Sequence, residues 1–256
     1  MNVRRGIKRG IKRLFAVAGY QVSKIQPVAP VAAPPPPGVD RSTMRGAVIS
    51  LGRRLPNVAT IIDVGASNGM WSLLAMESYP HSRYWLIEAQ AVHEPALQQF
   101  CREHANAGYI LAAAGATVGQ IYFDTTSPWG GAAGYQPFKE NNRVVPVTTI
   151  DQQVQAQGLT GPFLLKLDTH GFEVPIFQGA SQTLADTAAI VVECYNFKIS
   201  SESLEFSEMS AWLKERGFHC MDIVDLMRRP GDDAFWQMDM VFLRADRPEF
   251  ARLGYD

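Results

Sequence analysis

Short apolar strands that alternate with helical segments are the feature that most limits what this chain can fold into. Runs such as "TIIDVG", "YWLIEA" and "PFLLKLD" are separated by stretches with helical spacing, such as "MWSLLAMES" and "HEPALQQFCREH". A strand without polar alternation is buried on both faces, and an intervening helix lets successive strands run parallel. The pattern therefore predicts an α/β domain with a mostly parallel sheet and helices on both faces.

The remaining apolar runs extend this prediction. "GYILAAA" is typical of a third strand, "AAIVVECY" of another buried strand, and "QIYFD" and "RVVPVTTI" are β-rich on either side of the Gly-rich loop "TTSPWGGAAGY". "FHCMDIVDL" and "MDMVFLR" are joined by the polar turn "RRPGDD", with no helix between them. Two strands joined in this way form an antiparallel pair, which we expect at one edge of the sheet.

The N-terminal region differs in composition from the rest. Residues 1–25 have helical spacing with one apolar and one basic face, and the first 39 residues carry seven basic side chains and no acid. Two interpretations stay open: a helix attached peripherally to an anionic membrane surface, or a helix packed on the main domain with its basic face in water. Residues 26–39 contain six prolines and predict an extended linker, leaving 40–256 as the globular domain.

The charge balance argues against a nucleic-acid partner. The chain has 24 basic and 25 acidic residues, and removing the seven N-terminal basic residues leaves 17 against 25, or about −8. An acidic body of this kind has no general attraction for phosphate backbones. We therefore expect a small-molecule or glycan partner.

Cysteine usage and hydropathy suggest the compartment. Cys101, Cys194 and Cys220 are odd in number and lack a CxxC spacing, which disfavours a disulfide framework or a zinc ribbon. No apolar run approaches the roughly 18–20 residues that span a bilayer. These observations predict reduced thiols in a cytoplasmic protein.

A glycine-containing loop follows the first strand in "IIDVGASNG", residues 61–69. Gly65 and Gly69 flank the loop, and glycines at such a place let the backbone approach a ligand closely. The dinucleotide fingerprint G-x-G-x-x-G is absent from this loop. Its absence weakens an interpretation as a pyrophosphate-binding site.

Acids stand at the ends of three predicted strands: Asp63, Glu88 and Asp168. Ligands of open α/β sheets bind at the carboxyl ends of the strands, so these side chains are expected at one sheet edge. An acid at the position of Glu88 can accept hydrogen bonds from ribose hydroxyls. Together the acids indicate a nucleoside-binding site, although any single one could simply cap the next helix.

Five segments resemble a known family. "IDVGASNGMWS", "LIEAQ", "LLKLDTHGFEVPIFQGA", "VVECYNF" and "QMDMVFLR" have the order and spacing of the FkbM-type S-adenosylmethionine-dependent methyltransferases. The segment "LKLDTHGFE" with the following "GA" is the most specific; Phe177 departs from the usual aliphatic residue, and Pro175 opens the following helix. The resemblance implies a Rossmann-like class I methyltransferase fold, with a seven-stranded sheet whose last strand is antiparallel.

The resemblance also implies a reaction and a cofactor site. It implies S-adenosylmethionine as cofactor and methylation of a hydroxyl, often on a sugar, a surface polysaccharide or a glycosylated metabolite. Glu88 would bind the ribose and Ala113 would lie near the adenine. The implied cofactor-binding residues are Asp63, Gly65, Ala66, Ser67, Asn68, Gly69, Glu88 and Ala113.

The polar cluster Asp168, His170 and Glu173 supplies the candidate catalytic residues. His170 has a suitable ordinary pKa for a general base. Asp168 could orient it, hold the substrate, or bind a divalent cation with Glu173 or Glu193, so a metal requirement stays open. Structural roles stay open too, because His170 could be a turn residue and Glu173 could favour a helix N-terminus. Buried Lys166 needs an acidic partner, for which we expect Glu193.

Three functions follow from these patterns. A methyltransferase is favoured, and Trp129, Tyr135 and Phe138 in the Gly-rich loop are expected to close over its acceptor. A Rossmann oxidoreductase using NAD or a nucleotide sugar is disfavoured by the missing fingerprint. A catalytically inactive, membrane-associated scaffold of the same fold is disfavoured by the intact acids and glycines. The acceptor and the oligomeric state are not determined by the sequence.

Overall fold

A computed structural model describes residues 38–255 of the chain. The predicted basic helix (1–25) and most of the proline-rich linker (26–39) lie outside these residues. The helices are α1 (Met44–Arg54), α2 (Met70–Met76), α3 (Glu94–Glu103), α4 (Ile150–Gln157), α5 (Glu173–Gln178), α6 (Phe206–Glu215) and α7 (Pro248–Ala251). Two 3₁₀ turns lie at Ala91–His93 and Thr183–Asp186.

The main sheet contains seven strands in the order β10–β11–β9–β8–β1–β2–β3. Their bounds are β1 (Thr60–Val64), β2 (Arg83–Glu88), β3 (Ala107–Leu111), β8 (Phe163–Leu167), β9 (Thr187–Tyr195), β10 (Phe218–Arg228) and β11 (Phe235–Arg244). β11 is antiparallel to both neighbours, and every other pair is parallel. The predicted mostly parallel sheet with an antiparallel last strand and an edge hairpin is confirmed.

Both faces of this sheet are buried, as the continuous apolar runs predict. Ile61 belongs to one hydrophobic cluster and Ile62 to the other, and Leu164 and Leu165 divide in the same way. Successive side chains of a strand point to opposite faces, so each strand contributes to two cores. The helices that connect the strands cover those cores and leave the carboxyl ends of the strands free to form a site.

A smaller sheet, not foreseen from the sequence, packs beside the main one. It contains β4 (Ala113–Ala114), β5 (Gly119–Asp124), β6 (Ala133–Gly134) and β7 (Asn142–Thr148) in the order β4–β7–β5–β6. The run "GYILAAA" is therefore not one strand: the chain leaves the main sheet after Leu111 and enters the second sheet at Ala113. Apolarity alone could not reveal this break, because Ala112, Ala113 and Ala114 are all buried.

Two further sequence predictions bear on the described part of the chain. The three cysteines are free thiols, as their spacing predicts. Within residues 38–255 no helix combines the length and apolarity needed to cross a bilayer.

Candidate functional site

The loop between β1 and α2 is shaped by close backbone approach. Gly65 has φ +72°, and a Cβ atom there would lie 2.0 Å from the carbonyl oxygen of Asp168. The contact arises because the chain leaving β8 follows β1 closely, with the Asp168 amide donating to the carbonyl of Val64 at 3.0 Å. Gly69, at φ +83°, faces a side chain instead: a Cβ atom there would lie 3.0 Å from the ring of Phe100. Both glycines are thus required by the fold of the loop.

Glu88, the last residue of β2, organises the same loop. One carboxylate oxygen accepts the Ser67 amide and the other accepts the Gln90 amide, each at 2.7 Å. The side chain is almost completely buried, and it forms part of a cavity wall. A buried carboxylate held by two backbone amides is fixed in position and retains lone pairs for a ligand.

A cavity that is partly open to solvent lies over the carboxyl ends of β1, β2 and β8. Its wall is largely apolar, with Ile87, Ala112, Phe123 and Phe172, and its ionisable groups are Glu88, Asp168 and His170. It lies where the strand order reverses between β1 and its neighbours, the usual ligand position in open α/β sheets.

The structure brings together some of the predicted site residues and separates others. The predicted residues that line the cavity are Gly65, Ser67, Glu88, Ala113, Asp168 and His170. Those outside its wall are Asp63, Ala66, Asn68, Gly69 and Glu173. The residues outside the wall lie in the glycine loop or behind the strand ends, where Asp63 and Glu173 make the hydrogen bonds described below.

Asp63 belongs to a buried ionic network. It is fully buried, accepts the Ser72 hydroxyl at 2.7 Å, and lies 3.3 Å from the ammonium of Lys166. Lys166 also lies 3.3 Å from Asp168 and donates to the Gly65 carbonyl at 3.2 Å. Burial alone would lower the pKa of Lys166, but the two carboxylates raise it above its ordinary value.

The prediction that Lys166 pairs with Glu193 was wrong, and the strand register explains why. Lys166 is aligned with Asp63 on β1 and with Val191 on β9. Glu193 is therefore two residues beyond Lys166 along β9, and its carboxylate reaches His170 instead. A sequence without the register cannot distinguish the two acids.

His170 is held between acidic groups. Its Nδ1 lies 2.9 Å from a carboxylate oxygen of Glu193 and 2.8 Å from the Tyr195 hydroxyl, and its Nε2 lies 3.9 Å from Asp168. Burial alone would lower the pKa of His170, but the hydrogen bond to Glu193 and the charges of Glu193, Asp168 and Glu173 raise it to about 9. At neutral pH the ring is therefore an imidazolium, which does not fit the general base expected from its ordinary pKa.

Asp168 carries the opposite charge at the same cavity wall. Burial would raise its pKa, but the ammonium of Lys166 and the ring of His170 hold the pKa below its ordinary value. Its side chain is 40% exposed. Asp168 is therefore an ionised, accessible carboxylate at neutral pH, able to accept a hydrogen bond from a ligand.

Glu173, the third candidate catalytic residue, closes the turn before α5. Its carboxylate accepts the Gly171 amide at 2.9 Å and the Thr169 hydroxyl at 3.1 Å. It is buried, and burial raises its pKa despite these hydrogen bonds. The contacts hold the backbone of the turn in which His170 takes φ +50°. This geometry favours a structural role over direct contact with substrate.

The cluster of Asp168, His170 and Glu193 has the spacing of a cation site, with one ligand atom from each within 4.8 Å of the others. The carboxylate of Glu193 in this cluster already has hydrogen-bond partners, one of which is His170. The Tyr195 hydroxyl donates to one oxygen of Glu193 at 2.5 Å, and the Gln237 side-chain amide donates to the other. In this arrangement the three residues form a hydrogen-bonded cluster with Tyr195 and Gln237.

The Gly-rich loop forms the outer wall of the cavity. The side-chain amide of Gln90 donates to the carbonyls of Ser127 and Pro128 at 3.1 and 3.2 Å, and His93 Nε2 lies 2.7 Å from the Pro128 carbonyl. Trp129 contributes to the cavity wall although it is 67% exposed. The loop is thus fastened to the end of β2, with one large aromatic side chain left available for a ligand.

Comparison with known proteins assigns the family. The model of the methyltransferase FkbM domain matches residues 63–220, which is more than half of the chain. The chain belongs to this family. The predicted membership is thereby confirmed, and the match runs from the end of β1 to the start of β10.

Among solved structures, this FkbM-family chain is similar to methyltransferase FkbM from Methylobacillus flagellatus KT, with 14% identity and a TM-score of 0.46 over 76% of this chain. It spans only 53% of that protein. It is also similar to M. capricolum TrmK, solved with S-adenosyl-homocysteine, at 5% identity and a TM-score of 0.47, covering 78% of this chain and 68% of that one. No curated protein sequence matches the chain.

Sequence reasoning missed several residues of this FkbM-family site. Tyr195 and Gln237, which hold Glu193, belong to β9 and β11, and Gln90 and His93 anchor the Gly-rich loop. The segment "VVECYNF" offered a signal, since a buried strand that ends in an acid and a tyrosine is unusual. The contact of Gln237 with Glu193 had no signal in the sequence, because it depends on the pairing of β9 with β11, which are distant along the chain.

Proposed function

We propose that this FkbM-family protein is an S-adenosylmethionine-dependent methyltransferase that methylates a hydroxyl group of a sugar, a glycan or a glycosylated metabolite. The observation that carries the proposal is the cavity at the strand ends, in which a fixed carboxylate, a glycine loop and an apolar wall face the Asp168–His170 pair. Family membership supplies the reaction class, and the cavity supplies a place for it.

The residues of the cavity fit the proposed cofactor. Glu88 would accept hydrogen bonds from the ribose hydroxyls, and the loop at Gly65 and Ser67 would lie along the methionine portion. Ala113 and Phe172, on the apolar wall, would contact the adenine. When bound, the cofactor supplies a methyl group on a sulfonium, which is already activated for transfer. The protein therefore has to orient the acceptor and manage one proton.

Asp168 is best placed to receive the acceptor hydroxyl. Its carboxylate is ionised and accessible, whereas Glu88 already accepts two backbone amides and the His170 ring is protonated in the free protein. The ion pairs with Lys166 and His170 fix the orientation of Asp168. We assign Asp168 to hydrogen bonding with the hydroxyl, and His170 and Glu173 to positioning it.

The partners proposed here follow from the same site. A small-molecule or glycan acceptor would approach through the opening beside Trp129, whose exposed ring offers an apolar surface for a sugar. A divalent cation is not part of the proposal, because the cluster that could hold one is satisfied by hydrogen bonds.

Ligand binding to the full-length protein tests the cofactor assignment. Thermal shift and isothermal titration would compare S-adenosylmethionine, its demethylated product and NAD on the wild type and on Glu88→Gln. We expect both sulfur-containing ligands to stabilise the wild type, with affinity reduced roughly 10- to 100-fold in Glu88→Gln. Stabilisation by NAD alone would instead indicate an oxidoreductase. Binding without methyl transfer to any glycan would indicate an inactive scaffold.

A further inference from the structure

A second cavity adjoins the first and shares His170 with it. It is wide open to solvent and lies between the carboxyl end of β9 and the start of β11. Gly130, from the loop that walls the first cavity, forms part of its rim. A molecule bound here would reach the Asp168–His170 pair from the side opposite to Glu88.

The wall of this second cavity is aromatic and cationic. Tyr195 and Phe197 contribute from β9 and the segment after it, and Trp236 from β11, with the Trp236 ring 5.6 Å from Tyr195 and 5.5 Å from Phe197. The cationic side chains are Lys198 and Arg229. Among the described residues that line it, none is an acid.

Arg229 is held over the aromatic floor with donor capacity to spare. Its guanidinium lies 4.7 Å from the centre of the Phe197 ring. Nε and Nη2 donate to the Asp232 carboxylate at 2.9 and 2.6 Å. Both partners of this bidentate pair are substantially exposed, so solvent screens the attraction between them. Nη1 makes no hydrogen bond within residues 38–255, so the guanidinium can bind an additional anion.

Lys198 completes a positive edge at the mouth of the cavity. It is exposed and makes no ion pair with another residue in the described range. Lys198, with no internal partner, and the stacked guanidinium of Arg229 together are suited to an anionic ligand. Arginine recognises carboxylates and phosphates through paired hydrogen bonds. An aromatic floor at the same place suits the apolar face of a ring.

We propose that the second cavity binds the acceptor through an anionic group, a carboxylate or a phosphate, carried on or next to the sugar ring whose hydroxyl is methylated. Arg229 and Lys198 bind the anion, while Trp236 and Phe197 contact the ring. The acceptor hydroxyl then lies toward Asp168, at the boundary of the two cavities. This inference rests on the proposed methyltransferase function and specifies its substrate class.

Saturation-transfer NMR on the full-length protein, saturated with S-adenosyl-homocysteine, tests this assignment. The probes are glucuronic acid, glucose 6-phosphate and the neutral methyl glucoside. We expect at least one anionic probe to bind roughly 10- to 100-fold more tightly than the neutral one, with affinity that falls as salt is added. The stronger of the two anionic probes identifies the group as carboxylate or phosphate.

Matched variants localise the effect. Arg229→Met and Lys198→Met keep an unbranched apolar stem at each position and remove the charged head group, and we expect them to abolish the preference for the anionic probe. Arg228→Met removes the same charge one residue away, outside the cavity wall, and should preserve the preference. The melting temperature and the affinity for S-adenosyl-homocysteine should remain unchanged in all three variants.

The outcomes separate the two claims. Failure of the wild type to bind S-adenosyl-homocysteine contradicts the proposed function itself. If that ligand binds, equal affinity for neutral and anionic probes overturns the anionic acceptor, as does absence of anion binding at tens of millimolar. Equal losses in Arg228→Met and Arg229→Met also overturn it, since the effect would then reflect overall charge.

Discussion

Gly65 illustrates how one residue determines the geometry of the site. The amide at this position donates to the Ile87 carbonyl at 2.9 Å, while the place of a Cβ atom is taken by the backbone of Asp168. The ends of β1, β2 and β8 therefore meet at a residue that must lack a side chain. A glycine after the first strand is visible in the sequence, but the neighbour that requires it is not.

Gly65→Ala should consequently damage both stability and binding. The added methyl group would overlap the Asp168 carbonyl and would require φ +72° of an alanine, so we expect a loss of about 2–4 kcal/mol in the free energy of unfolding. Denaturant titration measures it. Gly119→Ala is the control, because nothing lies within 4 Å of its Cβ position. Equal effects of the two substitutions would contradict this explanation.

His170 makes stability depend on pH in a definite direction. Its folded-state pKa of about 9 lies above the ordinary value of 6.5. The protonated ring therefore contributes stability that is complete below about pH 6.5 and is lost as pH rises through about 9. The charged groups responsible are Glu193, Asp168 and Glu173.

We expect His170→Asn to remove this dependence, since asparagine tolerates the left-handed backbone at this position. The free energy of unfolding of the wild type should decrease between pH 6.5 and 9 more steeply than that of the variant. An NMR titration of the imidazole in the wild type gives the pKa directly. A measured pKa near 6.5 would contradict the imidazolium assignment and would restore His170 as a candidate base.

Among the secondary-structure elements, the strands of the main sheet and their mostly parallel directions were predictable, and their order in the sheet was not. The buried strands are recognisable in the sequence as continuous apolar runs, and the turn "RRPGDD" marks the β10–β11 hairpin. The order of the strands depends on one pairing between residues more than 100 positions apart, that of β1 with β8, in which Asp63 is aligned with Lys166. The same limitation hid the second sheet, whose short strands β4 and β6 have only two residues each.

The ion pairs of Lys166 link β1 to the end of β8, and removing the cation should break that link. We expect Lys166→Met to lower the free energy of unfolding by about 3–5 kcal/mol, because it leaves the buried carboxylate of Asp63 without its counter-ion. The double variant with Asp63→Asn should recover part of the loss. Denaturant unfolding of both variants checks this, and a loss below about 1 kcal/mol in Lys166→Met would show that the pair contributes little.

Across the whole molecule, two cavities on one sheet edge share a single polar boundary. The first presents Glu88 and an apolar wall, the second presents arginine, lysine and aromatic rings, and His170 belongs to both. If the first cavity holds the methyl donor and the second holds the acceptor, as we propose, the two reactants meet beside His170 and Asp168. The acids at the strand ends were predictable. The second cavity was not, because its residues come from β9, the segment that follows β9, the turn between β10 and β11, and β11 itself.

The N-terminal region gives a prediction at the same scale. Its seven basic side chains, with no acid, contrast with the acidic remainder of the chain. If residues 1–25 attach the protein to anionic membranes, their deletion should strongly reduce co-sedimentation with phosphatidylserine-containing vesicles and leave the affinity for S-adenosyl-homocysteine unchanged. Unchanged sedimentation of the deletion variant would favour a helix that packs on the main domain.

A crystal structure of the full-length protein with S-adenosyl-homocysteine would test directly whether the first cavity is the cofactor site. We expect density in the first cavity, with the ribose hydroxyls on Glu88, the adenine near Ala113 and Phe172, and the sulfur directed toward Asp168 and the second cavity. Density for the ligand elsewhere, or a ribose that does not contact Glu88, would contradict it.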